Sequence, residues 1–386
     1  MRGTVLHAQA GWREGKWLSR AAGRLDAQDF GSGEALASVL FHVPNLRACT
    51  GEGIRDATGN CSGLRRAVME GGGWRITLDQ IGEHARRHVG KPRDAVDDGP
   101  CAAPNQEFLR SLRESGGYGI THVGRIERTD EQVFSSDDVK DLEEALFRFL
   151  SFCRGAWTGP LLAVGLDENG NQAWEEYRDW KVERWRRVHF WYRGCQTDVL
   201  ASTFSGFVRR WKDKTWTDVI KHAVHWYVES NMCAGAVEGG IILSQAAFEL
   251  LAWTLLVEEQ KAISPNGFEK LPASDQIRLL LHACNIPTAV PESLTALVSA
   301  AKALKWTDGP QAIAETRNAL VHPNPKKRRR LDRAGTGARI DAWSLALWYL
   351  ELALLRLFDY NGSHFNRLQR EGWAGDPVER VPWANA

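Results

Sequence analysis

The sequence predicts an α+β fold, with a β-rich N-terminal domain followed by an all-α helical bundle. Three observations carry this. Up to about residue 135, short β-type runs alternate with glycine punctuation. Beyond about residue 198, strand patterns almost vanish and helical periods take over. The chain has 386 residues, more than one ordinary core and enough for two domains, and its 43% hydrophobic and 25% charged residues are ordinary globular values. The expected organisation is a β-rich domain over 1–135, a helical and aromatic connecting region over 136–197, and the helical domain over 198–386.

In the first domain the β-type runs are Val39–Val43, Trp74–Leu78 and Tyr118–Arg128. Gly71-Gly72-Gly73 and Gly116-Gly117 mark turns, and the Pro-, Gly- and Asp-rich stretch Lys91–Pro104 reads as a long surface loop. Ser136-Asp137-Asp138 opens a helix, because carboxylates favour the positive end of the helix dipole. Leu142, Leu146, Phe149 and Leu150 fall on its apolar face, and it ends near Gly155. A strand-like run, Leu161–Leu166, meets the turn Asp167–Gly170, and residues 171–197 are read as joining the halves. Helices are then expected at Phe204–Asn231, Val237–Lys261, Ser274–Asn285, Pro291–Leu304, Gly309–His322 and Asp341–Tyr360. In the last, Leu345, Trp348, Leu352, Leu355 and Phe358 repeat at three or four residues and mark one buried face.

Composition narrows the function. A net charge of +1 excludes a globally basic nucleic-acid binder, so any nucleic acid must meet a local patch. The seven cysteines are scattered without CxxC or Cys/His spacing, which predicts reduced thiols and neither a metal nor a cofactor. Arg13, Glu14 and Lys16 leave no apolar signal core, and the apolar run Ile241–Val257 contains Gln245 and Glu249. A buried helix in a cytoplasmic protein, away from any membrane, is therefore expected. The 17 tryptophans could stack on bases, but such residues more often fill cores and seams.

The chemistry concentrates in Glu315-Thr316-Arg317-Asn318-Ala319-Leu320-Val321-His322-Pro323. Ile313, Leu320 and Val321 are read as facing inward, and Pro323 as stopping the helix. Arg317 and His322 stand about 140° apart around a helix, so one helix aims both at one group only if its last turn loosens. Two copies meeting across a two-fold axis could converge them more easily, which predicts a homodimer. An imidazole can pass the proton of a 2′-hydroxyl attacking the adjacent RNA phosphate, while a guanidinium holds the phosphoryl oxygens. The spacing alone is common here, recurring at Arg2/His7 and Arg184/His189, and a His at a helix end can simply cap it.

The run RNALVH, with the preceding GGIILSQAAFELLAW, resembles the HEPN superfamily over roughly residues 205–360. Its order, after a β-rich domain, is similar to the HEPN domain of ApeA-type phage-defence proteins. The resemblance implies a dimeric, metal-independent endoribonuclease, often a toxin or defence effector, with Arg317, Asn318 and His322 as the motif. Lys326, Lys327, Arg328, Arg329 and Arg330 follow as a solvated loop, a localisation-type signal or an RNA-phosphate patch, made mobile by Gly335 and Gly337. Glu249 is a candidate to orient Arg317, or it makes a helix-surface ion pair, and Glu238 lies on the same helix. His222 and His225 have metal-ligand spacing but no third ligand, and His122 and His189 read as structural. Two other readings stay open: a catalytically silent module that binds RNA, nucleotide or a partner, and a sensor role for the N-terminal domain toward an unknown trigger.

Overall fold

The computed structural model describes residues 28–46, 52–55, 61–81, 110, 112–186, 188–192, 198–322, 324–369 and 378–385. The expected loop Lys91–Pro104 and the proline stop Pro323 lie outside the described residues.

Within the described residues the N-terminal half is an eight-stranded antiparallel sheet. Its strands are β1 (Gln28–Gly31), β2 (Ser38–Pro44), β3 (Glu52–Arg55), β4 (Cys61–Gly71), β5 (Trp74–Gln80), β6 (Ile120–Arg128), β7 (Leu161–Leu166) and β8 (Gln172–Tyr177). The spatial order is β1-β8-β7-β2-β6-β5-β4-β3. Strand β5 shows why it forms: Trp74, Ile76 and Leu78 alternate into the core, while Arg75 and Asp79 on the other face pair with Glu70 and Arg66 across the ladder to β4. Gly72 and Gly73, with φ of 62° and 89°, make the two-residue turn between β4 and β5.

The segment expected to connect the halves joins the sheet instead. Strand β7 pairs with β2, and β8 pairs with β7 and β1. Between β6 and β7 runs α1 (Ser136–Arg154), whose cap is Ser135, one residue before the expected start. Ser135 and Asp138 exchange hydrogen bonds as a capping box, and Gly155 ends the helix in the left-handed region at φ 70°. A Cβ at Gly155 would lie 2.3 Å from the His189 carbonyl oxygen, so only glycine fits.

The helical half comprises α2 (Val199–Trp211), α3 (Thr217–Asn231), α4 (Ala236–Trp253), α5 (Pro265–Glu269), α6 (Ala273–Ala283), α7 (Thr295–Leu304), α8 (Gly309–Val321) and α9 (Pro325–Leu357). Two short strands, β9 (Ser363–His364) and β10 (Glu379–Arg380), pair after α9. The single helix expected over Phe204–Asn231 is two, because the chain reverses between Trp211 and Trp216. The Asp213 carboxylate accepts from the Thr215 amide, and both indoles are buried. The helix expected over Val237–Lys261 is α4 followed by a π-helical turn, Thr254–Glu259. Ala236–Glu259 is long and apolar enough to cross a membrane, and 67% of its apolar window is buried within the fold.

The largest correction concerns Lys326–Arg330, expected in a loop. These residues form the first turns of α9, which starts at Pro325 and is kinked at Gly335 (φ 78°, ψ 167°). Asn324 caps it, accepting from the Lys327 amide at 3.0 Å, and a proline at the first helical position needs no hydrogen-bond acceptor.

One continuous apolar core runs through both halves. Leu142, Leu146, Phe149 and Leu150 of α1 lie in it, as do Leu345, Leu352, Leu355 and Phe358. Four of the largest fully buried side chains are Trp157, Trp174, Trp191 and Trp216, so these tryptophans serve packing. The cysteines Cys153, Cys233 and Cys284 are free thiols, and burial pushes the Cys284 thiol up to about 12.

Candidate functional site

Helix α8 is anchored at its start. The Asp308 carboxylate accepts from the Gln311 amide at 2.9 Å and from Arg278, through Nε at 2.7 Å and Nη2 at 3.1 Å. Ala312, Ile313, Thr316 and Ala319 pack inward, and the Thr316 hydroxyl donates back to the Ala312 carbonyl at 2.7 Å. The inward reading holds for Ile313. It fails for Val321, which is 39% exposed at the helix end, and Leu320 is half-buried.

Arg317, Asn318 and His322 sit on the last turn of this anchored helix. Arg317 is half-buried, and its Nη1 reaches Asn318 Oδ1 at 3.4 Å. The Arg317 Nε is buried without a hydrogen-bond partner. Asn318 touches both other residues of the motif, because its carbonyl oxygen accepts from the His322 amide at 3.0 Å. At His322, the residue that caps the end of the helix, the backbone leaves the helical region (φ −117°, ψ 71°). The imidazole is exposed and makes no hydrogen bond or ion pair among the described residues. The side chain therefore does not bond the last carbonyls, as a capping His would.

From His322 the chain turns directly into α9, with the Asn324 amide donating to the His322 carbonyl at 2.8 Å. Lys326 and Arg329 are exposed and Lys327 is half-buried, and none of them has an ion-pair partner among the described residues. Arg328 and Arg330 lie on the same turns, and their side chains are outside the described residues. Cations are unfavourable at the positive end of a helix dipole, and α9 has no acidic residue in its first turn to offset them.

The remaining candidates are placed elsewhere. Glu249 does not pair with Arg317; it accepts from Gln245 Nε2 at 2.8 Å. Glu238 lies 3.6 Å from Arg339 on α9. His222 stacks on Trp226, and His225 packs at 5.5 Å against Trp157 with its pKa lowered by burial. His122 is buried in β6, and His189 stacks on Phe365. Among the described residues no three His, Cys, Asp or Glu side chains gather to hold a metal ion.

A polar cluster not anticipated from the sequence lies inside the helical core. Arg367, with a side chain 6% exposed, donates to both Glu351 oxygens and to Asn231 Oδ1, while the Tyr227 hydroxyl donates to Glu351 at 2.8 Å. Glu351 is visible in the sequence as the one carboxylate within the leucine-rich face of α9. Its partners come from other segments, so no local spacing reveals them.

Comparison with known proteins adds a relationship without an activity. The model of the YopA central domain matches residues 31–93 and 101–188, and that of the YopA C-terminal domain matches residues 213–379. The SPbeta prophage-derived uncharacterized protein YopA of Bacillus subtilis (strain 168) is 29% identical over 280 residues, covering 72% of this chain and 61% of that protein. The matched region thus spans less than two thirds of that relative. No solved structure matches the chain. The two family matches meet between residues 188 and 213, where the sheet-bearing half gives way to α2.

Proposed function

We propose that the chain is a metal-independent endoribonuclease of the HEPN type whose working groups are Arg317, Asn318 and His322. The observation that carries this reading is the exposed His322 imidazole, without a partner among the described residues, at a helix end five residues after Arg317 and directly before a cationic helix start. In the proposed reaction an RNA 2′-hydroxyl attacks the adjacent phosphorus and the 5′-oxygen leaves. The products are a cyclic phosphate and a free hydroxyl. His322 acts as general acid or base. Arg317, steadied by Asn318, stabilises charge on the phosphoryl oxygens. Lys326, Lys327, Arg328, Arg329 and Arg330 bind flanking phosphates. The working unit is a homodimer through the helical half, which brings two such turns into one cleft. A prophage-derived relative fits a toxin or antiviral effector acting in the cytoplasm.

A second reading draws on the half-burial of Arg317 and its orphaned Nε. In that case the turn binds RNA, nucleotide or a partner protein without cutting. The separating experiment incubates the full chain with unstructured RNA in the presence of a chelator. Wild type is expected to cleave and to scatter light as a dimer at tens of micromolar. His322→Ala and Arg317→Ala are each expected to lower the saturated rate by about 10²–10⁴-fold, with little change in RNA affinity. Toxicity on expression should vanish with His322→Ala. Equal cleavage by wild type and both variants overturns the catalytic assignment, and binding without any cleavage supports the silent module.

A further inference from the structure

A groove of about 570 Å³ opens at one end of the sheet, away from the α8–α9 turn in sequence and fold. Pro44 at the end of β2, Ile120 at the start of β6 and Leu161 at the start of β7 line it, together with Tyr118. Residues 179–182 form the facing wall. Tyr118 and Ile120 are 43% and 37% exposed, an unusual apolar showing for a sheet end. The wall is braced from behind, because Trp180 stacks on Phe147 at 4.7 Å and Phe147 stacks on Trp157 at 5.3 Å.

Two features identify what the groove accepts. The wall is irregular chain with open main-chain positions: the Trp180 amide donates to the Arg178 carbonyl at 3.0 Å, while among the described residues no hydrogen bond uses the amides of Asp179, Lys181 and Val182 or the carbonyls of residues 179–182. The second feature is charge. Lys181 is held by Glu229, and Arg178 is held by Glu176 at 2.7 Å, so both cations of this segment are neutralised. Asp179 is exposed and has no hydrogen bond or ion pair among the described residues. Of the charged residues lining the groove, Asp179 is thus the one left unpaired among the described residues, and its carboxylate favours a cation.

We propose that this groove binds an extended peptide segment carrying a basic side chain. Its main chain would pair with residues 179–182 in the manner of an added strand. Side chains on an extended strand alternate in direction, so one side chain can reach Asp179 while its neighbours pack on Tyr118, Ile120 and Leu161. Four wall residues span about 13 Å, room for a core of three or four ligand residues. This inference stands apart from the cleavage reading, and its readout is binding alone.

The test uses the full chain and a fluorescein-labelled, end-blocked peptide, Gly-Val-Arg-Leu-Val-Gly, followed by anisotropy. The expected result is saturable binding that weakens at high salt. A peptide with Glu in place of Arg should bind at least tenfold more weakly, and so should an Arg peptide N-methylated at alternate residues, which leaves the protein untouched. Asp179→Asn should weaken the Arg peptide about two- to fivefold, the range of an exposed ion pair, without changing the affinity of an Ala-for-Arg peptide. Equal binding of the Arg and Glu peptides, no saturable binding by either, or displacement of the peptide by oligouridylate overturns the proposal.

Discussion

The α8–α9 turn and the Glu351 cluster use the same side-chain chemistry to opposite ends. In the core, Arg367 meets Glu351 and Asn231, and Tyr227 completes the carboxylate's partners. Helices α3 and α9 and the segment after β9 converge on one buried, charge-matched network. At the turn, Arg317 has one long hydrogen bond to its neighbour, and His322, Lys326, Lys327 and Arg329 have no side-chain partners among the described residues. Where charges are matched and buried, a guanidinium joins parts of the fold. Where they are left unmatched at the surface, water, counterions or a ligand can complete them.

The sharpest test of this contrast is a double dissociation. Truncating one partner of a buried ion pair strands the other, at a cost of about 3–5 kcal/mol. Arg367→Ala is expected to lose that much in urea denaturation, whereas replacing Glu351 and Arg367 together by Leu and Met should lose far less. His322→Ala, a change at an exposed unpartnered ring, should alter stability by no more than about 0.5 kcal/mol. A large destabilisation by His322→Ala would place that ring in the fold's support, and the contrast would fail.

Buried titratable groups sharpen the comparison through pH. His364 is fully buried against Trp348, and burial lowers its pKa from 6.5 to about 4, although Glu379 lies 3.5 Å away. The native state therefore holds it neutral, while the unfolded chain takes up a proton below about 6.5. Stability falls as pH drops from 6.5 toward 4, by about 3 kcal/mol in total. Glu143 behaves oppositely: burial, then its hydrogen bond with Glu176, raises its pKa above the ordinary 4.5. Its contribution is fully present below 4.5 and is lost as pH rises through the raised value. Glu143→Gln should thus stabilise the protein at pH 8 more than at pH 5, and His364→Asn should flatten the acid limb. Parallel pH profiles for wild type and both variants would contradict these assignments.

These contrasts also show what can be read from a sequence. The central strands β2, β5 and β6 and helix α8 are legible because their apolar spacing repeats within a few residues. Strands β1, β3 and β8 are not, since they carry polar or glycine-containing stretches whose strand state depends on a neighbour. The motif residues Arg317 and His322 are legible as a spacing, but the unpartnered state of His322 is a property of the folded turn. Glu249 looked like a partner for Arg317 because both are polar residues on helices that pack together, yet Gln245, four residues away on its own helix, takes that carboxylate. Charge masked the start of α9: five consecutive cations suggest a solvated loop, while the informative signal was the quieter pair Asn324-Pro325.

The cations at the start of α9 carry the smallest expected effect. If Lys326 and Lys327 serve only structure, a helix start is a poor place for them, because the dipole there repels cations by about 0.3–1 kcal/mol each, and less where exposed. Lys326→Gln with Lys327→Gln should therefore raise stability slightly, by a few tenths of a kcal/mol, in urea denaturation. If the same residues hold phosphates, the double variant should lose RNA affinity. The salt dependence of binding should also become shallower by about 1.4 in the log–log slope, at about 0.7 per single-strand contact. The saturated cleavage rate should change little, because these charges grip substrate and transition state alike. A more stable protein that binds RNA more weakly is the signature of residues kept for a ligand at the fold's expense. A less stable protein with unchanged RNA affinity would instead make these lysines part of the scaffold, and the surface division between matched and unmatched charge would have to be redrawn at α9.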